Sequence, residues 1–297
     1  MLTPLWLFVV STSSLLLLAA ALHALKRLGP GGARLRDIAC RAPALDVTVF
    51  LFTVASPIVG AVWGAWQGGS LLECLELMGA GVGAQLAALC VWIVLHEIRH
   101  RNRAKGPRIR TTLSRLVGPV RNHVAVWWTA WAVPVFALVR VAEYLVYPPL
   151  VWLVKFPKYD HGQWVNVSRV KFDGLVGYDL IWCLYCDWMT GVWSLGGEML
   201  RNVESFWCPI RFASPEKCEN CKTDFPDIAG GWVKHDASMA DVAKVLESKY
   251  SGPGRPGDNA WFGHPARLTV GGRVVPTGGH ESTLRDAPDI LEGPSKR

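Results

Sequence analysis

Two pairs of cysteines in the second half of the chain share the same spacing. In the segments "WCLYC" and "KCENC", the cysteines of each pair stand three positions apart. Thiolates are soft ligands, and two such pairs can enclose a zinc ion tetrahedrally. The sequence therefore predicts a structural zinc site made by four sulfurs, those of Cys183, Cys186, Cys218 and Cys221.

Other roles stay open for these cysteines. Between Cys186 and Cys218 stand 31 residues, more than the roughly 15–20 that usually separate paired zinc-binding turns. Cys208 lies in this interval and could replace one ligand. The same sulfurs suit an iron–sulfur cluster, and in an exported domain they would form disulfides.

The first cysteine pair also suggests redox chemistry. "WCLYC" resembles the W-C-x-x-C active site of thioredoxin-like proteins, in which a helix N-terminus lowers the pKa of one thiol. The resemblance implies a thiol–disulfide oxidoreductase with Cys183 and Cys186 as its redox pair. Paired instead with His235, either cysteine resembles the nucleophile of papain-like viral leader proteases.

A third constellation lies in the first half, in "VLHEIRHRN". His96, Glu97 and His100 match H-E-x-x-H, which places two imidazoles on one helical face beside a glutamate that can activate water. At the end of an apolar helix, the motif resembles membrane-embedded zinc metallopeptidases of the beta-lactam-sensor type. That resemblance implies a downstream acidic ligand, for which Glu143 is the candidate. The alternative interpretation assigns these residues to the basic collar of a helix end.

The elements that must position these groups differ between the two halves of the chain. Of 297 residues, 51% are hydrophobic and 19% charged, below the roughly 25% charged that is usual in soluble proteins. The apolar residues concentrate before residue 157, in stretches near the roughly 20 residues that a membrane-crossing helix needs. The predicted spans of this membrane domain, residues 1–156, lie near residues 5–25, 47–66, 77–95 and 124–156.

Charges between the spans predict an orientation. The segment after the first span carries five basic residues and one acid, Arg99 to Arg121 carries eight lysines and arginines and no acid, and residues 67–76 have two acids and no base. By the positive-inside rule, both basic loops face the cytosol and the N-terminus lies outside. We expect these loops to contact anionic lipid headgroups. RNA is a weaker alternative, because no aromatic residues interleave with the arginines.

The last apolar stretch leaves the side of the second half open. As one helix, its residues would extend about 50 Å, too long for a simple span, and it contains three prolines. Arg140 and Glu143 stand one helical turn apart within it. We expect this pair to snorkel to the membrane interface, and a buried functional ion pair is the alternative. If the stretch crosses the membrane, the following domain lies outside; if it dips or lies flat, that domain is cytosolic.

Residues 157–250 have the composition of a compact cysteine-rich α+β domain. "WVNVSRVKF" and "LVGYDLIW" have the β-branched and aromatic content of strands. "DWMTGVWSLGGEMLRNV" and "HDASMADVAKVLESKY" favour helices, the second capped by Ser238 and Asp241. Residues 251–297 should form a linker, a hairpin turning at a Gly-Gly pair, and a tail. The predicted fold class is a mostly α membrane protein with three or four transmembrane helices and a small C-terminal α+β domain.

Near the C-terminus, "WFGHPARLTVGGRVVPTGGHESTL" resembles the start of chymotrypsin-like proteases in polyproteins of plant and fungal positive-strand RNA viruses, of the sobemovirus and polerovirus type. The resemblance places the catalytic histidine of those proteases at His280. Those polyproteins carry a cluster of membrane spans upstream of the protease. The resemblance therefore implies that this chain is the membrane-anchoring part rather than the enzyme.

Together these patterns predict an integral membrane anchoring and assembly protein. Its helices would fix the chain in a bilayer, and its zinc-binding domain would present a surface to a protein partner, as in a membrane-bound viral replication complex. No complete catalytic set stands in the sequence. A peptidase using His96, Glu97 and His100, and an oxidoreductase using the first cysteine pair, are the enzymatic alternatives.

Overall fold

The computed structural model describes residues 3–103, 106–172, 174–214 and 232–249, together with four strand residues further along the chain. The helices are α1 (Pro4–Ala24), α2 (Gly29–Ala39), α3 (Ala44–Phe50), α4 (Ser56–Trp66), α5 (Leu71–Arg99), α6 (Ile109–Val117), α7 (Pro119–Trp128), α8 (Val133–Leu145), α9 (Tyr147–Val154), α10 (His161–Trp164), α11 (Gly177–Trp207) and α12 (Met239–Lys249). The strands are β1 (Thr269–Val270) and β2 (Arg273–Val274).

Four apolar helical segments are long enough to cross a membrane. They are Pro4–Ala24, Ala44–Trp66, Leu71–Arg99 and Pro119–Val154. The four predicted spans are thus confirmed as helical segments of suitable length and composition. The second joins α3 to α4 through a π-helical turn, and the fourth consists of α7, a 3₁₀ turn, α8 and α9. Their most apolar windows are only 17%, 17%, 28% and 6% buried, so each segment presents a largely apolar exterior.

Helices α4 and α5 pack through small residues. A methyl group added at Gly60 would lie 2.5 Å from the carbonyl oxygen of Leu77, and one added at Gly81 would lie 2.6 Å from that of Ser56. Such distances leave no room for a side chain, so the two backbones touch at these glycines. Because Ser56 meets Gly81 and Gly60 meets Leu77, α4 runs antiparallel to α5.

Helix α1 lies against α5 in the parallel direction. Thr12 Oγ1 donates to the carbonyl oxygen of Ala84 over 3.4 Å, and further along the ring of His23 lies 5.8 Å from that of Trp92. The start of α1 and the 67–70 turn therefore share one end of this three-helix bundle. Both basic loops leave from the other end.

The two strands predicted between residues 157 and 250 are wrong. "LVGYDLIW" enters α11 at Gly177, and "WVNVSRVKF" contains a 3₁₀ turn at Arg169–Lys171 and one isolated bridge, from Asn166 to Arg41. The described part of this region contains helices, coil and two isolated bridges but no strand, so the α+β prediction is not supported there.

Helical periodicity explains that outcome. Buried residues of α11 recur every three or four positions, at Trp188, Val192, Leu195 and Met199, which is the spacing of one helix face. The strand-like composition of "LVGYDLIW" is local, and a strand also needs a partner to complete its hydrogen bonds. The helix predicted from "DWMTGVWSLGGEMLRNV" is confirmed as part of α11.

Two shorter predictions agree with the structure. Asp241 N donates to Ser238 Oγ over 3.4 Å, and Ser238 N donates to the Asp241 carboxylate over 3.1 Å. This reciprocal capping starts α12 as expected. Strands β1 and β2 pair antiparallel, with Thr269 opposite Val274, as in the predicted hairpin.

The chain divides into two compact units. The first comprises Met1–Val139 and His161–Trp193, and it contains the three-helix bundle, α6, α7 and the first half of α11. The second comprises Arg140–Asp160 and Ser194–Arg297. Helix α11 contributes to both units.

Substitution of Gly81 by alanine should weaken the contact between α4 and α5. The new methyl group would meet the backbone of Ser56 and Pro57, and we expect a loss of about 1–3 kcal/mol in the free energy of unfolding, the usual cost of overpacking. Gly79→Ala is the matched control, because nothing lies within 4 Å of that position. Thermal unfolding in detergent, followed by circular dichroism, measures both; equal Tm values would contradict the close contact.

Candidate functional site

Side chains of α5 cap the start of α11. Gly177 N donates to His96 Nδ1 over 3.0 Å, and Tyr178 N donates to Glu97 Oε1 over 3.2 Å. The first amides of a helix have no partner within that helix, so α5 supplies two of the missing acceptors. Gly177 has a φ of +50°, and a methyl group there would overlap the side chain of Glu97. Glycine suits both conditions.

Arg108 joins this helix start to α5. Its Nη2 donates to Glu97 Oε1 over 2.8 Å and to the carbonyl oxygen of Val176 over 3.0 Å, and its Nε donates to Asp179 Oδ2 over 3.0 Å. The other carboxylate oxygen of Asp179 accepts from the backbone N–H of Arg110 over 3.0 Å. Glu97, Arg108 and Asp179 are called the Arg108 node below.

Two of the three side chains of the Arg108 node are shielded from water. The side chains of Arg108 and Asp179 are 12% and 4% exposed. The hydrogen bond to Glu97 is the main cause of a raised pKa for Arg108, and the bond to Asp179 adds to it. Asp179 also lies in the first turn of α11, where the helix dipole favours a negative charge. The node thereby fixes the end of α5, the approach to α6 and the start of α11.

The structure brings the H-E-x-x-H residues together but gives them other partners. The rings of His96 and His100 lie 4.3 Å apart between centroids. The lone pair of His96 Nδ1 accepts from Gly177 N, and the carboxylate of Glu97 accepts from Arg108. In a metallopeptidase, the two histidines bind the metal ion and the glutamate accepts a proton from the water bound to that ion. The metallopeptidase stays a prediction, which these contacts do not favour.

Cys183 and Cys186 lie one turn apart in α11. Both line a cleft of about 170 Å³ whose walls are mostly apolar and include two arginines. Cys218 and Cys221 lie outside the described residues. Within the described ranges, no three histidine, cysteine or acidic side chains are grouped as a metal site. Zinc bound by the four cysteines stays a prediction.

The environment of Cys183 differs from that of a thioredoxin-like thiol. Because α11 begins at Gly177, Cys183 lies well inside the helix, away from the N-terminal amides that lower a thiol pKa. Burial instead raises the pKa of Cys183 above its ordinary value. The redox role stays a prediction, which this position does not favour.

A second polar cluster is buried in the other unit. Asn202 Nδ2 donates to the hydroxyl oxygens of Tyr147 over 3.2 Å and Tyr159 over 2.5 Å. Arg201, which precedes Asn202, pairs with Glu198 one turn earlier on α11 over 2.8 Å. Burial raises the pKa of Tyr159 well above its ordinary value, so this phenol stays neutral at physiological pH. The cluster can orient hydrogen bonds, and the phenol of Tyr159 is not a base there.

Arg140 and Glu143 belong to the same unit and are ion-paired. Both are buried, so the snorkelling pair is wrong and the structure fits the alternative of a buried ion pair. The physical reason is the surrounding contact: Arg140 Nη2 also donates to the hydroxyl of Tyr144 over 2.9 Å, and its guanidinium lies over that ring. Glu143, the candidate third ligand of a peptidase, is thus engaged by an arginine.

No protein family model, curated protein or solved structure matches this chain. The resemblance to viral polyproteins stays a prediction, and His280 lies outside the described residues.

Sequence reasoning missed the partners that matter most in both clusters. Asp179 lies in the first turn of α11, where acidic residues are a typical N-terminal signal, whereas the composition of the segment favours a strand. Glu198 and Arg201 stand three positions apart within apolar sequence, as Arg140 and Glu143 do. This shared spacing is the sequence signal that indicates a second ion pair. Nothing in the local sequence links Arg108 to α11, since 71 positions separate it from Asp179.

Loss of the positive charge at Arg108 should release the start of α11. In Arg108→Gln, Asp179 stays buried without the guanidinium that pairs with it. We expect the free energy of unfolding to fall by about 3–5 kcal/mol. Arg101→Gln, at an exposed arginine of the same loop, is the matched control and should change stability by less than about 0.5 kcal/mol. Chemical unfolding in detergent and limited proteolysis before α11 measure the effect. Equal stability of the two variants would contradict the role of the node.

The thiol of Cys183 should react slowly at neutral pH. Its raised pKa keeps it protonated there, so its alkylation rate should still be rising above pH 9, the ordinary thiol value. Iodoacetamide labelling of chelator-treated protein, quantified by mass spectrometry of the peptide, gives the rate against pH. A plateau below about pH 7.5, typical of thiols activated by a helix N-terminus, would restore the redox interpretation.

Proposed function

We propose that this chain is an integral membrane anchoring and assembly protein. The observation that carries the proposal is the bundle of α1, α4 and α5, whose large apolar side chains mostly point outward. Val62, Trp66 and Leu72 are each more than half exposed, and an apolar surface of this extent marks a membrane or partner interface. Close contact through small residues is typical of helices packed within lipid, where no hydrophobic effect drives them together.

The basic loops support contact with anionic lipid. They leave the bundle at the same end, and the second carries eight lysines and arginines without an acid between Arg99 and Arg121. Each basic residue near an anionic surface contributes about 1 kcal/mol of attraction. The positive-inside rule assigns this end to the cytosol.

The assembly part of the proposal concerns the cysteines. Cys183 and Cys186 open into one cleft, so a single ion could contact both sulfurs. With Cys218 and Cys221 as further ligands, bound zinc would order the C-terminal region and let it present a surface to a protein partner. A membrane-bound replication complex of the viral type is one setting that fits this role.

The anchor makes a direct prediction about extraction. Full-length protein should stay in the membrane pellet after alkaline carbonate, and after about 1 M salt, which screens surface charges strongly. It should enter solution only with detergent. Recovery in the carbonate supernatant would contradict the proposal, and release by salt alone would show binding through the basic loops without insertion.

The enzymatic alternatives forecast different results for the purified protein. A peptidase would cleave a membrane substrate, lose that activity in Glu97→Gln and lose zinc in His96→Ala. Zinc held by the cysteines would instead disappear in Cys183→Ser and Cys218→Ser and survive in His96→Ala. Elemental analysis of His96→Ala, Cys183→Ser and Cys218→Ser beside the unaltered protein distinguishes zinc bound by the histidines from zinc bound by the cysteines.

A further inference from the structure

We propose that the chain crosses the membrane three times and that residues 119–139 and 177–191, called the surface layer below, lie in the headgroup region of the leaflet at the basic end. The partner of this layer is the boundary between headgroups and acyl chains of an anionic bilayer. The inference rests on the proposed membrane function and adds its topology and the surface that meets lipid.

Two contacts tie α11 to the same end of the bundle. At its start, Gly177 N bonds to His96, which follows the apolar part of α5. Eleven residues later, Trp188 Nε1 donates to Asp46 Oδ1 over 3.2 Å, and Asp46 precedes the apolar part of the second span. Both contacts therefore lie at one hydrocarbon boundary. The helix between them extends about 17 Å, so it runs along this boundary and not through the bilayer.

The chain also returns to this end after the fourth apolar segment. Ala42 N donates to the carbonyl oxygen of Val165, and Val167 N donates to that of Cys40, each over 2.9 Å. Cys40 and Ala42 belong to the first basic loop. The second basic loop, at the same end, leads into α7. A segment that leaves from one side and returns to it crosses the membrane an even number of times.

The first part of the fourth segment lies beside α11 and follows its direction. Three ring pairs join them, His123–Tyr178 at 5.9 Å, Trp127–Trp182 at 5.3 Å and Phe136–Trp188 at 6.4 Å between centroids. Since α11 runs along the boundary, residues 119–139 do too. The 21 residues of Arg140–Asp160 then remain, whereas two crossings need about 40. The segment therefore makes no full crossing.

A stripe of exposed apolar side chains fits this placement. Positions three or four apart are exposed along one line of the segment, at Val120, Val124, Trp128, Trp131, Val135 and Leu138. Spacing of this kind defines a single face of a helix. Tryptophan prefers the headgroup level of a bilayer, and an amphipathic helix there buries its apolar face about 5–10 Å deep. Exposed Arg115 and Arg121 lie just before and within the start of the stripe, and they complement anionic headgroups.

This placement also assigns a compartment to the cysteines. Residues 161–193 share the end of the basic loops, which the positive-inside rule places in the cytosol. Thiols stay reduced there, so Cys183 and Cys186 are available as metal ligands and do not form secretory disulfides.

Spin-label depth in vesicles of phosphatidylcholine and phosphatidylserine tests the proposal. Nitroxides at Val124→Cys and Leu138→Cys, in full-length protein with its native cysteines replaced by serine, stand about 21 Å apart along a helix. We expect them at similar, shallow depths. The matched control, Val47→Cys and Val62→Cys in the second span, is also well exposed and should differ in depth by about 20 Å.

The outcomes separate this inference from the anchoring function. A depth difference at 124 and 138 equal to that of the control pair would overturn the surface layer and leave the anchor intact. Water accessibility at all four positions would overturn the anchor itself.

A second measurement avoids cysteine replacement. Epitope tags inserted at Gly68, Gly106 and Gly174, all in exposed turns, are tested for protease protection in sealed membranes. The tags at Gly106 and Gly174 should share one side, opposite to Gly68. If the tag at Gly106 were protected and the tag at Gly174 cleaved, or the reverse, the two sites would lie on opposite sides, which would contradict three crossings.

Discussion

The guanidinium of Arg108 stands between two carboxylates that come from helices far apart in the chain. Glu97 lies in the last turn of α5 and Asp179 in the first turn of α11. Asp179, only 4% exposed, could not stay charged there without a positive partner. Arginine suits the position because its planar fork addresses two acceptors at once, whereas a lysine ammonium is a point charge. The same carboxylate of Glu97 also accepts from the start of α11. The position of α11, and with it the cleft that holds the first cysteine pair, follows from this arrangement.

The H-E-x-x-H residues illustrate how one set of side chains serves two kinds of chemistry. In a peptidase, the imidazole would bind the metal ion and the carboxylate would activate water. Both groups are also good acceptors for backbone N–H groups. What decides between the roles is the surrounding chain. Here a glycine with a left-handed backbone brings the first amides of α11 against His96 and Glu97, and the acceptors are used for capping.

The spans were predictable because apolar length is a property of a continuous segment, and no distant residue is needed to recognise it. The same holds for α12, whose capping pair stands within four residues. The start of α11 was not predictable in this way. "LVGYDLIW" suits a strand by composition, and its helical state depends on acceptors supplied by α5, some eighty positions earlier. The cysteine pair was visible as a motif, but its depth within a helix, and therefore its raised thiol pKa, depended on where that helix begins.

Helix α5 is longer than α1 and α4, the helices that pack beside it in the bundle. Its 29 residues rise about 43 Å, close to the full thickness of a bilayer with its headgroups and well above the roughly 30 Å of hydrocarbon. In the proposed membrane placement, the Ser70–Glu73 capping box at one end and Glu97 at the other would lie in opposite polar layers. Hydrophobic mismatch in a thinner bilayer would be relieved by tilting α5, and the attachment of α11 to its end would turn that helix against the lipid surface. In that placement, bilayer thickness would set the angle of α11, and sterol-rich, thicker membranes would favour the upright bundle.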